Sequence, residues 1–275
     1  MFQAVLTWQI AYPMADTKSA GAWIRRFHVT DEAPLRLLCF PHAGGSASYY
    51  FPVSRALAPA VEVVAVQYPG RQDRRGEKCV DDIGELADFI FGELPAWSDR
   101  PLALFGHSMG ATVAYEVAKR MERAGTALVG LFASGRRAPS VYRNDSIHLR
   151  DDDGIVAALK ELSGTDDQLL GDDELVRMIL PAVRGDYKAV ETYRHRGGPE
   201  LGSPICVLVG DSDPVTSVDD ARAWQGHTTA SCLLEVLPGG HFYLNAQAAS
   251  VQRTILRQLG EWTGVHAASP PPHQG

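Results

Sequence analysis

The chain has 275 residues, of which 45% are hydrophobic and 21% are charged, and its formal net charge is -7. These fractions are typical of a folded globular domain, and the acidic balance argues against broad attraction to nucleic acid. No stretch approaches the roughly 20 apolar residues that a membrane span requires. The first residues carry no Lys or Arg ahead of their apolar stretch, unlike a signal peptide. We therefore expect a single-domain, monomeric, cytoplasmic protein without a nucleic-acid or membrane partner.

The cysteines lie mostly inside apolar runs, and none of them forms a C-x-x-C pair. They are Cys39, Cys79, Cys206 and Cys232. Buried free thiols have this pattern, whereas a disulfide framework or a zinc site does not. The pattern predicts a reducing compartment and no metal site.

Six short, nearly continuous apolar runs predict strands that are covered on both faces. They are Leu35–Phe40, Val61–Val66, Leu102–Phe105, Leu128–Ala133, Ile205–Val209 and Leu233–Leu237. The segments between them carry apolar residues three and four positions apart, which predicts helices. These segments are Ser46–Ala58, Asp81–Leu94, Met109–Ala124 and Ala246–Trp262. The alternation predicts an α/β fold with a mostly parallel sheet and helices on both faces.

The alternation breaks once, between Ala133 and Ile205. This stretch has no convincing strand but two helical patterns with acidic starts, at Asp152–Leu162 and Asp173–Tyr193. We interpret residues 146–200 as an inserted helical lid within one domain of residues 21–264. Residues 1–20 are expected to be a disordered extension and residues 265–275 a disordered tail.

The strongest motif is Gly106-His107-Ser108-Met109-Gly110, which follows a predicted strand and precedes a predicted helix. In that context G-x-S-x-G lifts the serine out of a sharp turn, as in the α/β-hydrolase fold, and the helix N-terminus favours developing negative charge. Ser108 is therefore the predicted nucleophile. The alternative is a tight turn with an idle serine.

A serine nucleophile needs a base and an acid that orients the base, and this fold places them in the order Ser, Asp or Glu, His. The loop after the strand Ile205–Val209 holds Asp211 and Asp213, and the loop after the last strand holds His241. We favour Asp213, which precedes a proline that fixes the turn, and leave Asp211 as the alternative. His241 is the predicted base, the alternative being a surface or capping histidine.

Acyl transfer also needs N–H donors for the oxyanion. We assign one to the backbone of Met109, after the nucleophile, and the other to Ala43 in the loop Pro41–Ser46 that follows the first predicted strand. A plain glycine-rich connection remains the alternative for that loop. His42 could line the site, but we favour a role in holding the loop by hydrogen bonds.

These motifs together resemble the type II thioesterases that accompany polyketide synthases and nonribosomal peptide synthetases. The matching segments are residues 41–45, 67–74, 106–110, 134–139, 210–214 and 240–244, within a span of about 35–259. Ser108, Asp213 and His241 match the family's triad, and Met109 and Ala43 match its oxyanion donors.

The resemblance implies hydrolysis of acyl groups from the phosphopantetheine arms of acyl or peptidyl carrier proteins, without a cofactor of the enzyme's own. Arg136 and Arg137 could then meet the phosphate of the arm or an acidic carrier surface, although solvated charge explains them equally well. Pro181 and Gly185 could let the lid flex or could serve packing only. Two other functions stay open, since the fold alone names no substrate. One is a carboxylesterase or lipase acting on oxygen esters, and the other is a catalytically silent module that docks onto a synthase.

Overall fold

A computed structural model describes residues 22–163, 173–198 and 200–264. The predictions for residues 1–20 and 265–275 lie outside this range. The described part contains a seven-stranded sheet in the order β1-β3-β2-β4-β5-β6-β7. The strands are β1 (Ile24–Arg26), β2 (Arg36–Phe40), β3 (Glu62–Val66), β4 (Leu102–His107), β5 (Leu131–Ser134), β6 (Ile205–Gly210) and β7 (Cys232–Leu237).

Helices connect these strands in the predicted alternation, which confirms the α/β fold class. They are α1 (Phe51–Leu57), α2 (Ile83–Glu93), α3 (Met109–Arg123), α4 (Asp152–Ser163), α5 (Asp173–Thr192), α6 (Val218–Arg222), α7 (Tyr243–Ala246) and α8 (Ala248–Thr263). The strands β2 to β7 pair in parallel, so their carboxyl ends meet at one edge of the sheet. Loops at this edge carry the predicted site residues, as open α/β sheets require.

The sequence did not predict β1, which pairs antiparallel with β3 at one side of the sheet. This strand has only three residues, Ile-Arg-Arg, and two of them are charged. Arg26 forms ion pairs with Asp31 and with the fully buried Glu62 of β3. An edge strand that is held partly by ion pairs lacks the apolar run on which strand prediction depends.

Two apolar layers cover the sheet because the side chains of each strand alternate between its faces. In β6, Ile205, Val207 and Val209 pack on the α2 and α3 side. Cys206 and Leu208 pack with α1 and α8 on the other side. All four cysteines are free thiols, two of them buried and two half-buried.

The helices α4 and α5 form the predicted insertion between β5 and β6 and have a small core of their own, formed by Ile155, Leu180, Val183 and Tyr187. The helix α5 continues through Pro181. A Cβ added at Gly185 would lie 3.2 Å from the Cβ of Cys79, so this glycine lets α5 pack closely on the neighbouring segment. Among the helices of the described residues, none combines the length and apolar character that a bilayer span needs.

Candidate active site

Ser108 occupies the sharp turn between β4 and α3, with a φ of +54° that non-glycine residues rarely adopt. Neighbouring glycines make the turn possible. A Cβ at Gly106 would lie 2.2 Å from the carbonyl oxygen of Gly110, and a Cβ at Gly110 would lie 2.1 Å from that of Phe40. Backbone strain of this kind is concentrated at functional sites, and here it presents the serine hydroxyl at the carboxyl edge of the sheet.

Three side chains from distant parts of the chain meet at this turn. His241 Nε2 lies 3.0 Å from Ser108 Oγ, and His241 Nδ1 lies 2.8 Å from Asp213 Oδ2. The His241 and Asp213 side chains are 2% and 0% exposed, so their hydrogen bond is shielded from water. Because an ionised carboxylate only accepts, Nδ1 carries the proton, and Nε2 is free to accept the proton of the serine.

The structure separates the two aspartates that the sequence left open. The second carboxylate oxygen of Asp213 accepts hydrogen bonds from the backbone N–H groups of Val215 and Thr216, at 2.9 and 3.2 Å. These bonds fix its direction towards His241. Asp211 is exposed, and its carboxylate accepts the N–H of Gly239 at 2.9 Å instead. Asp211 therefore joins the two loops without touching the imidazole.

The two assigned oxyanion donors belong to separate segments near Ser108 that line one cavity. Met109 is the first residue of α3, where backbone N–H groups have no acceptor within the helix. Ala43 lies in the loop after β2, and no residue of the described chain accepts a hydrogen bond from its N–H. Both residues line the same cavity as Ser108.

A buried ion pair fixes the Ala43 loop, and no motif of the sequence predicted it. The N–H of Gly44 donates to Asp186 Oδ2 at 2.7 Å. Asp186 lies on α5 and is 1% exposed, and Arg71 holds both of its carboxylate oxygens at 2.7 and 2.8 Å. Arg71 also donates to the carbonyl of Gly45 at 3.2 Å. Bidentate pairs of this kind impose geometry as well as binding energy, so α5 positions the loop that contains Ala43.

Two further histidines adjoin His241 and stay neutral. Burial, with smaller contributions from His241 and Arg71, lowers the pKa of His42 to about 3. Burial likewise holds the pKa of His107 well below its usual value. The His42 ring packs edge-on against Phe242 at 4.9 Å, and its buried Nδ1 has no hydrogen-bond partner among the described residues. His42 therefore lines the cavity, where ring contacts hold its side chain, and only its backbone carbonyl bonds within the loop, accepting the N–H of Gly45 at 2.9 Å.

A cavity of about 230 Å³ opens beside Ser108 and His241. The insertion contributes an apolar wall, formed by Ala158, Leu159, Leu162, Ile179, Val183, Tyr187 and Val190. Arginines line another part of it, namely Arg136, Arg137, Arg143 and Arg150. Carboxylates line the cavity as well, namely Asp145, Glu161 and Glu191. The serine thus faces a space with an apolar wall that suits an acyl chain and with charged side chains of both signs elsewhere in its lining.

Comparison with known proteins agrees with this arrangement. A family model described as "Thioesterase domain" matches residues 35–259. A probable cadicidin biosynthesis thioesterase of Streptomyces griseus is 50% identical over 241 residues, which are 88% of this chain and 67% of the relative. Thioesterase PikA5 of Streptomyces venezuelae is 49% identical over 230 residues, covering 83% of this chain and 82% of the relative.

Solved structures of similar proteins share this fold. The type II thioesterase BorB from the borrelidin biosynthetic cluster superposes with a TM-score of 0.83 at 50% identity, covering 87% of this chain and 98% of BorB. RedJ, a thioesterase from the prodiginine pathway of Streptomyces coelicolor, gives a TM-score of 0.79 at 36% identity, with 84% and 88% covered. The chain belongs to the thioesterase family, as its resemblance to the type II thioesterases of polyketide and nonribosomal peptide biosynthesis predicted.

Proposed function

We propose that this protein hydrolyses acyl thioesters on the phosphopantetheine arms of carrier proteins, as a type II thioesterase in polyketide or nonribosomal peptide biosynthesis. The observation that carries the proposal is the buried line of hydrogen bonds from Ser108 through His241 to Asp213, at the border of a largely apolar cavity. Free thiols are typical of proteins in a reducing compartment, so we place the reaction in the cytoplasm.

In the first half-reaction, Ser108 Oγ attacks the thioester carbonyl while His241 Nε2 takes up the hydroxyl proton. Asp213 holds the ring in the tautomer that allows this and stabilises the imidazolium that forms. Negative charge then develops on the carbonyl oxygen, where the N–H groups of Met109 and Ala43 are assigned to receive it. When the C–S bond breaks, His241 returns the proton to the departing thiol of the arm.

The second half-reaction releases the acid. A water molecule replaces the thiol, His241 removes one of its protons, and hydroxide attacks the acyl-serine carbonyl. The ester bond breaks, Ser108 regains its proton, and the acid leaves. Side chains, backbone donors and water carry every step, so we propose that the enzyme uses no cofactor of its own. Neutral His42 and His107 add no positive charge beside the imidazolium.

The insertion gives the cavity its acyl-binding character. Side chains of α4 and α5 form its apolar wall, and burial of an acyl chain there contributes about 0.8 kcal/mol for each methylene removed from water. Closure of the insertion over a bound chain would also exclude water from the acyl-serine until the thiol has left. The partner is therefore a carrier domain that delivers its arm into the mouth of this cavity.

The test uses carrier domains loaded with short, long and aminoacyl groups, and follows release of the acid. The wild-type protein is expected to accelerate release from at least one load, whereas Ser108→Ala is expected to retain less than about 0.1% of this activity. Ser98→Ala is the matched control, because Ser98 lies before β4, at the opposite edge of the sheet, and donates only to the carbonyl of Leu94. Equal, slow release by wild type and Ser108→Ala from every load would refute the proposal.

Two further measurements separate the alternative functions. A matched oxygen ester is expected to react more slowly than the carrier thioester, and a preference for the oxygen ester would favour a carboxylesterase. A fluorophosphonate is expected to label wild type but not Ser108→Ala. Absence of labelling in the folded wild-type protein would favour a catalytically silent docking module.

A further inference from the structure

Arg136 lines the active-site cavity and forms no ion pair with any residue that the structure describes. It follows β5, and its half-buried side chain makes one hydrogen bond, from Nε to Thr112 Oγ1 at 3.1 Å. Its two terminal amino groups make no hydrogen bond, and no carboxylate lies within ion-pair distance in the parts of the chain that the structure describes. A charge that is partly withdrawn from water without a partner is unfavourable to a folded protein.

The neighbouring arginines, in contrast, are neutralised. Arg137 lies 2.6 Å from the carboxylate of Asp145, and Arg143 lies 2.6 Å from that of Asp220. Among the carboxylates that line the cavity, Glu191 already accepts hydrogen bonds from the segment 147–148, through two backbone N–H groups and one imidazole. Asp145, Asp220 and Glu191 are thus engaged by other groups, and Glu161, which also lines the cavity, forms no ion pair with Arg136 in the described part of the chain.

The guanidinium of Arg136 lies where a substrate can reach it. It lines both the cavity of about 230 Å³ that contains Ser108 and an adjoining cavity of about 260 Å³. Thr112 lies one helical turn after Ser108, which places the guanidinium within roughly 12 Å of the nucleophile. Burial and the nearby Arg137 lower the pKa of Arg136 to about 9, so the side chain is still charged at neutral pH.

We propose that Arg136 forms an anion-binding subsite that pairs with a carboxylate or phosphate group of the thioester substrate. A planar guanidinium with both amino groups free suits bidentate binding of either oxyanion. The anion could come from an acidic acyl group or from the phosphate of the pantetheine arm. The inference rests on the proposed function, because it assumes that this cavity holds the thioester.

The test compares Arg136→Gln with wild type on three thioesters. Propionyl-N-acetylcysteamine is neutral, methylmalonyl-N-acetylcysteamine adds a carboxylate, and propionyl-phosphopantetheine adds a phosphate. The quantity measured is kcat/KM for each charged substrate divided by kcat/KM for the neutral one. Arg136→Gln is expected to lower this ratio by about 10- to 100-fold for one charged substrate, as loss of a charged hydrogen bond does. The substrate affected identifies the source of the anion.

Two control variants support the comparison. Arg143→Gln changes an arginine that lines the same cavities but is paired, and it is expected to leave both ratios within about threefold of wild type. Arg136→Lys, which keeps the charge, is expected to give a kcat/KM ratio between those of Arg136→Gln and wild type. If Arg136→Gln slows all three substrates equally, or changes neither ratio, the anion subsite is refuted.

A binding measurement separates this inference from the proposed function. Calorimetry with Ser108→Ala and the same thioesters needs no turnover. In that background, Arg136→Gln is expected to weaken binding of the affected charged substrate by a similar factor and to leave the neutral one unchanged. If wild type hydrolyses none of the thioesters, the proposed function fails, and an unchanged affinity for both charged substrates would refute the subsite by itself.

Discussion

Replacing Asp213 by Asn tests whether the buried carboxylate sets the tautomer of His241. The amide is nearly isosteric, and its oxygen can still accept the backbone N–H groups of Val215 and Thr216. Its NH₂ group then points at His241 Nδ1, 2.8 Å away, and forces that nitrogen to accept. The proton moves to Nε2, which can no longer receive the proton of Ser108.

The expected loss follows from this exchange of tautomers. In a serine hydrolase with an intact oxyanion hole, the same substitution lowers kcat by about 10⁴, equivalent to roughly 5 kcal/mol of transition-state stabilisation. We expect kcat of Asp213→Asn to fall by 10³ to 10⁴ with KM little changed, because the carboxylate does not face the acyl cavity. Steady-state hydrolysis of a propionyl thioester, together with thermal unfolding to verify the fold, measures this loss.

Asp211→Asn is the matched control, two residues away in the same loop. Asp211 accepts only the N–H of Gly239, and an asparagine oxygen can accept the same bond. Its kcat is expected to stay within about threefold of wild type. Comparable losses in the two variants, or a larger loss for Asp211→Asn, would show that Asp213 does not orient the base.

Three further predictions concern the turn, the neutral histidine and the buried ion pair. Gly110→Ala is expected to abolish activity and to lower the unfolding temperature, because the added methyl group collides with the β2 backbone. Gly92→Ala is the control, since a Cβ there meets no atom within 4 Å, and it is expected to add about 0.5 kcal/mol of stability. Folding lowers the pKa of His42, so the unfolded chain takes up a proton there at a higher pH than the folded protein does. The stability contributed by neutral His42 is therefore complete above about pH 6.5 and decreases as the pH is lowered. Between pH 7 and 5, urea unfolding should show that the unfolding free energy of His42→Gln decreases by about 2 kcal/mol less than that of wild type. An equal loss would contradict this. Asp186→Asn leaves the buried guanidinium of Arg71 unpaired. It is expected to cost about 3–5 kcal/mol of unfolding free energy and to lower kcat more than it raises KM. Asp152→Asn, which breaks an exposed pair on the insertion, should cost less than about 1 kcal/mol in the same unfolding assay, and equal costs would argue against a stabilising role of the Arg71–Asp186 pair.

The sequence predicts most of the fold because the buried strands and their connecting helices have strong periodic patterns. It also predicts which side chains the structure brings together, since Ser108, Asp213 and His241 each follow a recognisable strand at the same edge of the sheet. The sequence alone does not decide between Asp211 and Asp213, because the answer depends on which carboxylate the turn directs inwards. Backbone hydrogen bonds from Val215 and Thr216 set the direction of the Asp213 carboxylate, and residue types alone do not specify them.

The contacts that escaped prediction join residues far apart in the chain. Arg71 and Asp186 are 115 residues apart, and each alone is typical of a solvated charge in a loop or on a helix face. Likewise, the sequence treats Arg136 and Arg137 alike as neighbouring cations. Only the fold pairs Arg137 with Asp145 and leaves Arg136 without an ion pair among the described residues. Pairing of charges is a tertiary property, whereas periodicity and motif spacing are local.

The bond between Asp186 and the N–H of Gly44 joins the cover of the cavity to the loop that carries the proposed oxyanion donor, Ala43. An acyl group too bulky for the cavity would push α5 outwards, and the same movement would pull on the loop that carries the Ala43 donor. Such an acyl group would bind and yet be transferred to Ser108 slowly. Selection among acyl groups would therefore show itself in the speed of the chemical step, and tight-binding oversized thioesters would act as inhibitors instead of substrates.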